Sequence, residues 1–308
     1  MATTADEFLV RAINVSHRFD ERWALRNLTL NVAPGDIHVV LGHNGAGKST
    51  LFRLLQQQLA PTEGRVELSP LLLDERGRRR MGVLAESNGL CPSFSAWENL
   101  ELAARIFNVQ GDIWRPLARD LLARVDLDKR LDDPVAKFSA GMKRKVALIR
   151  SFIHSPNLII LDEPTAGLDA AAKYEIRTLI QGLGNPFRSV LIATQDLWEA
   201  ERIATRLTIL RQGRILYDGN YAELSKSVNR RKFRISRRLG FQDYSAALPP
   251  EVQIKLAEPD EYGMTVTLSR TVGEWPGLME SHEVMEVPLN LEEIYLEIAR
   301  MAGEPNEN

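Results

Sequence analysis

Residues 42–50, GHNGAGKST, constrain the fold more than any other stretch of the chain. They follow the apolar run IHVVL and lead directly into a helix-length segment. They fit the pattern G-x-x-x-x-G-K-[ST], in which a loop between a strand and a helix surrounds phosphate oxygens with backbone N–H groups. Gly45 and Gly47 favour the backbone turns that point those groups inward. The stretch therefore predicts a phosphate-binding loop in an α/β fold.

The side chains of this loop suit a nucleoside triphosphate. Lys48 would bring a positive charge to the β- and γ-phosphates, and the Ser49 hydroxyl would bind Mg²⁺. The N-terminus of the following helix adds its positive dipole. We expect ATP and Mg²⁺ as cofactors, with ATP contacted by Asn44, Gly45, Ala46, Gly47, Lys48, Ser49 and Thr50.

A second apolar run, NLIILDEP, ends in the acidic pair Asp162 and Glu163. Taken alone, such a pair after a strand indicates a solvated loop. In a chain that also contains a phosphate loop, the pair indicates a hydrolytic site. Asp162 can hold Mg²⁺, and Glu163 can orient or activate a water that attacks the γ-phosphate.

The order of apolar segments predicts a mostly parallel sheet with helices on its faces. Short runs predict strands at LTLNV, IHVVLG, NLIILDEP, SVLIAT and RLTILRQG. The predicted helices between them are Ser49–Leu59, Ala96–Phe107, Ala140–His154 and Ala170–Leu183. The range 91–154 lacks strand patterns, which predicts a helical subdomain inserted into the core.

The pattern changes after about Leu224. Three stretches, NRRKFRISRR, VQIKLAE and GMTVTLSR, alternate apolar and polar residues as half-buried strands do. A final helix is predicted to place Leu291, Ile294, Tyr295, Ile298 and Met301 on one face, with Asn290 and Glu293 forming its N-terminal cap. We predict an α/β domain over residues 1–224 and a small α+β domain over 225–308. The basic run 230–238 fits a half-exposed strand, and contact with anionic lipid is the alternative.

Composition narrows the possible partners. The net charge of −2 disfavours a nucleic-acid-coating protein, and no nucleic-acid partner is expected. The only cysteine, Cys91, suits a reducing compartment. No apolar run approaches the roughly 18–20 residues that cross a bilayer, and the acidic N-terminus lacks the features of a signal peptide. We expect a cytosolic chain that attaches to a membrane through a partner.

The stretch FSAGMKRKVALIRSFIHSPNLIILDEPTAGLD resembles the signature-to-D-loop region of ABC ATPases. Residues 139–143, SAGMK, stand where that family has its LSGGQ signature. The 23 positions from Ser139 to Asp162 (162 − 139) match the family's spacing. Asp169 closes a D-loop-like TAGLD, and Phe19 resembles the aromatic residue that stacks on adenine, with an ordinary core or edge aromatic as its alternative. The resemblance covers about residues 8–224 and implies a P-loop NTPase core.

Membership of that family implies a mechanism. Two ATPase subunits, here a homodimer, would pack head to tail with ATP between one phosphate loop and the other signature. Ser139, Gly141 and Met142 would then contact the partner's nucleotide. Closure and reopening would drive a membrane permease. The loose signature and the C-terminal extension resemble ATPase subunits of exporters whose permease is a separate chain. The protein would lie peripherally on the cytoplasmic face of the inner or plasma membrane.

Two positions depart from the family pattern. Glu86 stands near the Q-loop glutamine, where we expect it to act through the metal shell or to point toward the permease; a solvated loop residue is the alternative. Gln195 replaces the usual histidine after the strand SVLIAT. Its amide can still donate a hydrogen bond to the γ-phosphate, but it cannot carry charge.

Gln195, Lys48 and Glu163 are therefore the expected catalytic residues of a slow ATPase. The competing hypothesis is a regulatory ABC module that binds ATP with little hydrolysis. A soluble ABC ATPase acting on ribosomes or DNA is a further class. Such proteins usually carry two ATPase domains or long coiled coils, and this chain shows neither pattern.

Overall fold

The computed structural model describes residues 8–73, 81–228, 230–236, 252–259, 263–270 and 284–301. The chain divides into two compact units, Met1–Tyr221 and Ala222–Asn308. The division lies at the start of the 3-10 helical segment Tyr221–Ser227, which also contains the boundary predicted after residue 224.

The first unit contains two sheets. Its strands are β1 Val10–Phe19, β2 Arg22–Val32, β3 Ile37–Leu41, β4 Glu63–Leu68, β5 Met81–Leu84, β6 Leu158–Asp162, β7 Ser189–Thr194, β8 Arg206–Arg211 and β9 Arg214–Asn220. The larger sheet has the order β5-β6-β7-β3-β8-β9. Its first five strands are parallel and β9 is antiparallel to β8, which confirms the predicted mostly parallel sheet.

The smaller sheet is antiparallel, with the order β2-β1-β4. The sequence pattern predicted only the end of β2. Alternate residues of these strands are buried against the first helix, including Val10, Leu28 and Leu30, which pack with Phe52 and Leu55 in one core. This second layer holds Phe19 at the end of β1 and thereby positions one side of the site.

The helices of the first unit are α1 Lys48–Leu55, α2 Ala96–Ile106, α3 Gly111–Ala123, α4 Ala140–Phe152, α5 Ala170–Leu183 and α6 Leu197–Ile203. The helix α5 has its predicted bounds. The helix α1 ends four residues before the predicted Leu59, because Gln57 adopts a left-handed φ of 54° that a continuing helix cannot contain. Residues 91–154, which are described throughout, contain α2, α3 and α4 and no strand, as predicted.

Four of these helices begin with side-chain caps, and at α6 the Asp196 carboxylate accepts the Glu199 N–H at 3.0 Å. Ser95 and Glu98 form a capping box at α2. The Ser139 hydroxyl accepts the Met142 N–H at 3.2 Å at the start of α4, and Asp169 accepts the Ala172 N–H at 2.9 Å at the start of α5. These caps satisfy backbone N–H groups that a helix leaves unpaired, and they fix where each helix starts.

The second unit contains the predicted strands β10 Arg230–Ser236, β11 Val252–Pro259 and β12 Gly263–Arg270, and a further strand β13 Val284–Val287. They form an antiparallel sheet in the order β11-β12-β10-β13. The helix α7 spans Leu291–Met301. The predicted cap is present, because the Asn290 N–H donates to Glu293 at 2.8 Å and the Glu293 N–H donates to Asn290 at 2.9 Å.

Burial along the predicted apolar face of α7 ends before the last residue of the helix. Leu291, Ile294 and Ile298 are buried, whereas Met301 is 58% exposed. Met301 is the last residue of the helix, where the packed face ends. Among the described residues, no helix has the length and apolar character needed to span a membrane.

Candidate functional site

The phosphate loop lies at the carboxyl end of β3, between the strands β7 and β8. Gly45 and Gly47 have positive φ values of 81° and 108°, as the sequence predicted from their position. A Cβ at Gly47 would lie 2.7 Å from the Leu25 side chain and 2.8 Å from the Ala24 carbonyl. Only glycine fits there, so the loop enters α1 with its backbone close to β2.

Neighbouring backbone holds this loop in place. The Gly213 N–H, in the β8–β9 turn, donates to the Ala46 carbonyl at 2.9 Å. The Gly213 carbonyl accepts the Arg26 N–H at 2.8 Å, and the Gly42 N–H donates to Thr194 of β7 at 3.1 Å. The loop is thus held by β7 and by the β8–β9 turn, which is itself bound to β2, in addition to the constraints of its own sequence.

Lys48 is 6% exposed and lies beside the predicted catalytic carboxylate. Its Nζ donates to the Gly42 carbonyl at 2.6 Å and to the His43 carbonyl at 3.3 Å. The same atom lies 3.2 Å from Glu163 Oε1, which is an ion-pair distance although the angles do not make a hydrogen bond. The structure therefore brings together the positive and negative groups that the sequence separates by 115 positions (163 − 48).

Asp162 ends β6 and faces the start of α1. The Ser49 side chain lies near its carboxylate, on the wall of the same cavity. Its Oδ1 atom is buried and has no hydrogen-bond partner among the described residues. Burial raises the pKa of Asp162 and Glu86 adds to this, while Ser49 and Lys48 act in the opposite direction. A buried carboxylate oxygen without a partner is a candidate cation ligand.

Glu163 has an unusual backbone conformation. Its φ is 46°, in the left-handed region that non-glycine residues rarely adopt. Its N–H donates to the Ala193 carbonyl of β7 at 2.9 Å. Such conformations persist only where surrounding contacts hold them, and they are common at functional sites.

Arg144 supplies further contacts at this point, and sequence analysis did not identify it. It lies on α4 and is 5% exposed. Its guanidinium donates to the carbonyls of Pro164, Asp162 and Glu163 at 2.9, 2.7 and 2.7 Å. It also donates to the Ala85 and Glu86 carbonyls at 2.8 and 3.1 Å and to Asn88 Oδ1 at 3.1 Å. A buried arginine inside an amphipathic helix leaves no sequence signal, because its acceptors lie 18 to 59 residues away.

An open cavity of about 1170 Å³ adjoins these groups. Phe19, 46% exposed, forms part of its wall, and Glu86 lies near the acidic pair. The wall also contains Arg22, Trp23, Arg26 and Arg214, which sequence analysis did not single out. From the predicted set the cavity is lined by Phe19, Asn44, Gly45, Gly47, Lys48, Ser49, Thr50, Glu86, Asp162 and Glu163. The volume and the mixed aromatic and basic wall suit a nucleotide.

Six predicted residues do not line the cavity that the described residues form. Ala46 is fully buried in the core, and the other five are Ser139, Gly141, Met142, Asp169 and Gln195. Ser139 and Asp169 are exposed helix caps. A Cβ at Gly141 would lie 3.1 Å from Ala172 Cβ, so the N-termini of α4 and α5 are adjacent. Gln195 is exposed and directly follows Thr194, whose carbonyl binds the phosphate loop.

A buried glutamate lies behind Gln195. Glu199 is fully buried, and its carboxylate accepts hydrogen bonds from the Thr165 hydroxyl at 2.9 and 3.0 Å and from the Thr194 hydroxyl at 3.0 Å. Burial raises the pKa of Glu199. The cluster joins the segment that leads to Asp169 with the end of β7. Sequence analysis missed it because Glu199 reads as an ordinary residue of the first turn of α6.

Comparison with known protein families gives a consistent result. A family model described as ABC transporter matches residues 25–166. The daunorubicin resistance ATP-binding protein DrrA3 of Streptomyces coeruleorubidus is 37% identical over 210 residues, 67% of this chain and 66% of that protein. The Nod factor export ATP-binding protein I of Burkholderia thailandensis is 34% identical over 208 residues, 67% of this chain and 68% of that protein.

Solved structures agree with this fold. An ATP-binding subunit of an ABC transporter superposes with a TM-score of 0.63 at 26% identity, covering 71% of this chain and 92% of that one. A dimeric ATP-binding cassette in a post-hydrolysis state bound to ADP and Pi superposes with a TM-score of 0.59 at 27% identity, covering 68% and 98%.

Proposed function

We propose that this chain, which belongs to the ABC transporter family of ATPases, is the ATP-hydrolysing subunit of an exporter whose permease is a separate chain. The convergence of Lys48, Ser49, Asp162 and Glu163 on one cavity carries this proposal. These groups supply a cation for the phosphates, a hydroxyl and a carboxylate for a metal, and a carboxylate for the attacking water.

The predicted residues that line the cavity have distinct roles in this proposal. The backbone N–H groups of the phosphate loop and Lys48 hold the β- and γ-phosphates, and Phe19 stacks on the adenine. Glu163 would orient the attacking water, because its carboxylate lies 3.2 Å from Lys48 Nζ, the group that we propose holds the γ-phosphate. The remaining positively charged wall residues favour the anionic ligand over neutral molecules.

The residues present fit Mg²⁺. The partnerless Oδ1 of Asp162 and the hydroxyl of Ser49 are hard oxygen donors. Among the described residues, no group of three or more His, Cys, Asp or Glu side chains forms a cation site. A metal held by one or two protein oxygens together with nucleotide phosphates needs no such group. When bound, Mg²⁺ would neutralise the phosphate charge. Glu86 acts through that metal shell or faces the permease.

We propose that two copies close around ATP. At the N-termini of α4 and α5, Ser139 and Asp169 are exposed and Gly141 is half-buried, and all three lie outside the cavity of their own chain. Helix N-termini favour anions, so this surface suits the γ-phosphate bound by a second copy. The dimeric form of a similar cassette supports this arrangement.

Export is the direction that the relatives support. Two relatives bear the names daunorubicin resistance and Nod factor export ATP-binding protein. We propose that this chain is peripheral on the cytoplasmic membrane face, and that residues 86–99 contact the permease.

Gln195 favours a second candidate function. The amide is exposed and stands where the family usually has histidine. If it contributes nothing to hydrolysis, the protein would be a nucleotide-gated regulatory module that binds ATP with little turnover.

Phosphate release from the purified chain at saturating Mg-ATP separates the two functions. We expect slow release above the Glu163→Gln variant, which retains ATP binding but loses water activation. Release equal to that of Glu163→Gln would overturn the ATPase and leave the regulatory module. Absence of ATP binding in both proteins would overturn both candidates.

A further inference from the structure

We infer that Arg144 is a positioning residue that sets the orientation of Glu163 and joins it mechanically to the Glu86 loop. The inference rests on the proposed ATPase function. It adds a route by which a movement of residues 85–88 reaches the hydrolytic carboxylate without contact between Arg144 and the nucleotide.

One guanidinium links two segments that are far apart in sequence. Arg144 has five N–H groups and contacts six oxygen atoms, so two acceptors share one hydrogen. Three of these oxygens belong to residues 162–164 and three to residues 85–88. All five N–H groups of the side chain are therefore bound by the two loops beside the cavity.

The first segment contains the left-handed Glu163. Its N–H is held by Ala193 at 2.9 Å, and its carbonyl is held by Arg144 Nη2 at 2.7 Å. The two contacts clamp the residue from opposite sides. Because φ and ψ determine where a side chain leaves the backbone, this clamp fixes the direction of the carboxylate toward Lys48. A glutamate in this conformation would relax toward an ordinary φ without such support.

The second segment carries Glu86 on the cavity wall. The carbonyls of Ala85 and Glu86 and the amide oxygen of Asn88 bind the other branch of the guanidinium, Nη1. If the two segments move apart, hydrogen bonds in a buried site must break, which is costly. A displacement of the Glu86 loop is thus transmitted to the backbone of Glu163.

Arginine is required for this geometry. A lysine at 144 would keep the charge but would offer three donors on a single nitrogen, which cannot reach both sets of acceptors. The substitution Arg144→Lys therefore removes the link while conserving charge and most of the side-chain length.

Arg150 provides a matched control on the same helix. Its guanidinium donates to the carbonyls of Asn88 and Gly89 but makes no hydrogen bond or ion pair with residues 162–164, which are all described. The substitution Arg150→Lys weakens contacts of residues 88–89 and leaves every contact of Arg144 in place, so the comparison isolates the link that Arg144 makes.

Steady-state phosphate release measures the catalytic effect. We expect Arg144→Lys to lower kcat about 10²-fold, the size of effect that small misplacements of catalytic groups produce. Its KM for Mg-ATP should stay within about twofold, because Arg144 does not line the nucleotide cavity. Arg150→Lys should stay within about twofold of the parent in both constants.

Hydrogen exchange of the nucleotide-free proteins supplies a second readout. We expect faster exchange in Arg144→Lys at both 84–90 and 161–166, and in Arg150→Lys at 84–90 only. An unchanged kcat in Arg144→Lys, or a rise in KM that accounts for the whole loss, would overturn the inference. So would exchange at 161–166 equal to that of the parent. If the parent itself does not hydrolyse ATP, the proposed function fails and the exchange pattern alone decides the role of Arg144.

Discussion

The phosphate loop and the signature segment are both helix N-termini, yet they have opposite surroundings. The start of α1 lies in a cavity with Asp162 and Glu163, whereas Ser139 at the start of α4 is exposed and lies outside that wall. The difference supports the proposal that one chain contacts the phosphates from one side only. In the proposed dimer these exposed N-termini would contact the nucleotide of a second copy.

Removing the charge inside the cavity should have the largest effect on ATP binding. ATP at about 100 times its Kd adds roughly 2.7 kcal/mol, which corresponds to a rise in Tm of about 5–10 °C. We expect Lys48→Ala to abolish this rise in thermal unfolding measurements. The exposed Lys129 serves as a control, and Lys129→Ala should keep the full rise. If ATP raised the Tm of Lys48→Ala as much as that of the parent, the assignment of the phosphate loop would be contradicted.

Gln195 tests whether an exposed group outside the cavity wall takes part in hydrolysis. We expect Gln195→Ala to lower phosphate release about tenfold or more, below the 10²–10³ typical for loss of a complete transition-state donor. Gln195→His should retain or raise release by less than about tenfold, because it restores a donor that can carry charge.

The measurement for Gln195 is steady-state phosphate release with Glu163→Gln as the blank. ATP-induced stabilisation should remain in both variants. If Gln195→Ala releases phosphate at the parent rate, Gln195 is only a residue at the end of β7.

Two helical glycines sharpen the comparison further. A Cβ at Gly141 would lie 3.1 Å from Ala172, while a Cβ at Gly182 would meet nothing within 4 Å in the described chain. We expect Gly141→Ala to lower phosphate release about tenfold without weakening ATP binding, because it disturbs only the surface offered to the second copy. Gly182→Ala should hydrolyse ATP as the parent does. Equal rates in the two variants would contradict a role for the signature surface.

The smallest expected effect concerns Glu199 and pH. Its folded-state pKa is raised above the ordinary 4.5, so the folded protein holds this proton more tightly than the unfolded chain. The resulting stability is fully present below the ordinary pKa and is lost as the pH rises through the folded-state value. Glu199→Gln cannot titrate, so its stability relative to the parent should increase with pH. Urea unfolding at pH 4.5 and pH 8 measures this, and a pH-independent difference would contradict it.

The sequence predicts best what is contiguous. The phosphate loop, the acidic pair and the bounds of α5 follow from short stretches, because strand, loop and helix signals lie side by side there. Sequence patterns did not identify Arg144 and Glu199, because their hydrogen-bond partners are distant in sequence. A single buried polar residue also adds nothing to the apolar periodicity of a helix. The strands β1 and β4 were missed for a related reason: they are specified by pairing with each other across more than 40 residues.

The central claim, that each chain forms half of an ATP site, is tested most directly by the mass of the Glu163→Gln protein in solution. We expect this variant to bind ATP and close without hydrolysing it, so the closed dimer should accumulate. In analytical ultracentrifugation we predict monomer without nucleotide and dimer with Mg-ATP. The double variant Lys48→Ala, Glu163→Gln should stay monomeric. A Glu163→Gln protein that binds Mg-ATP and remains monomeric would contradict the account.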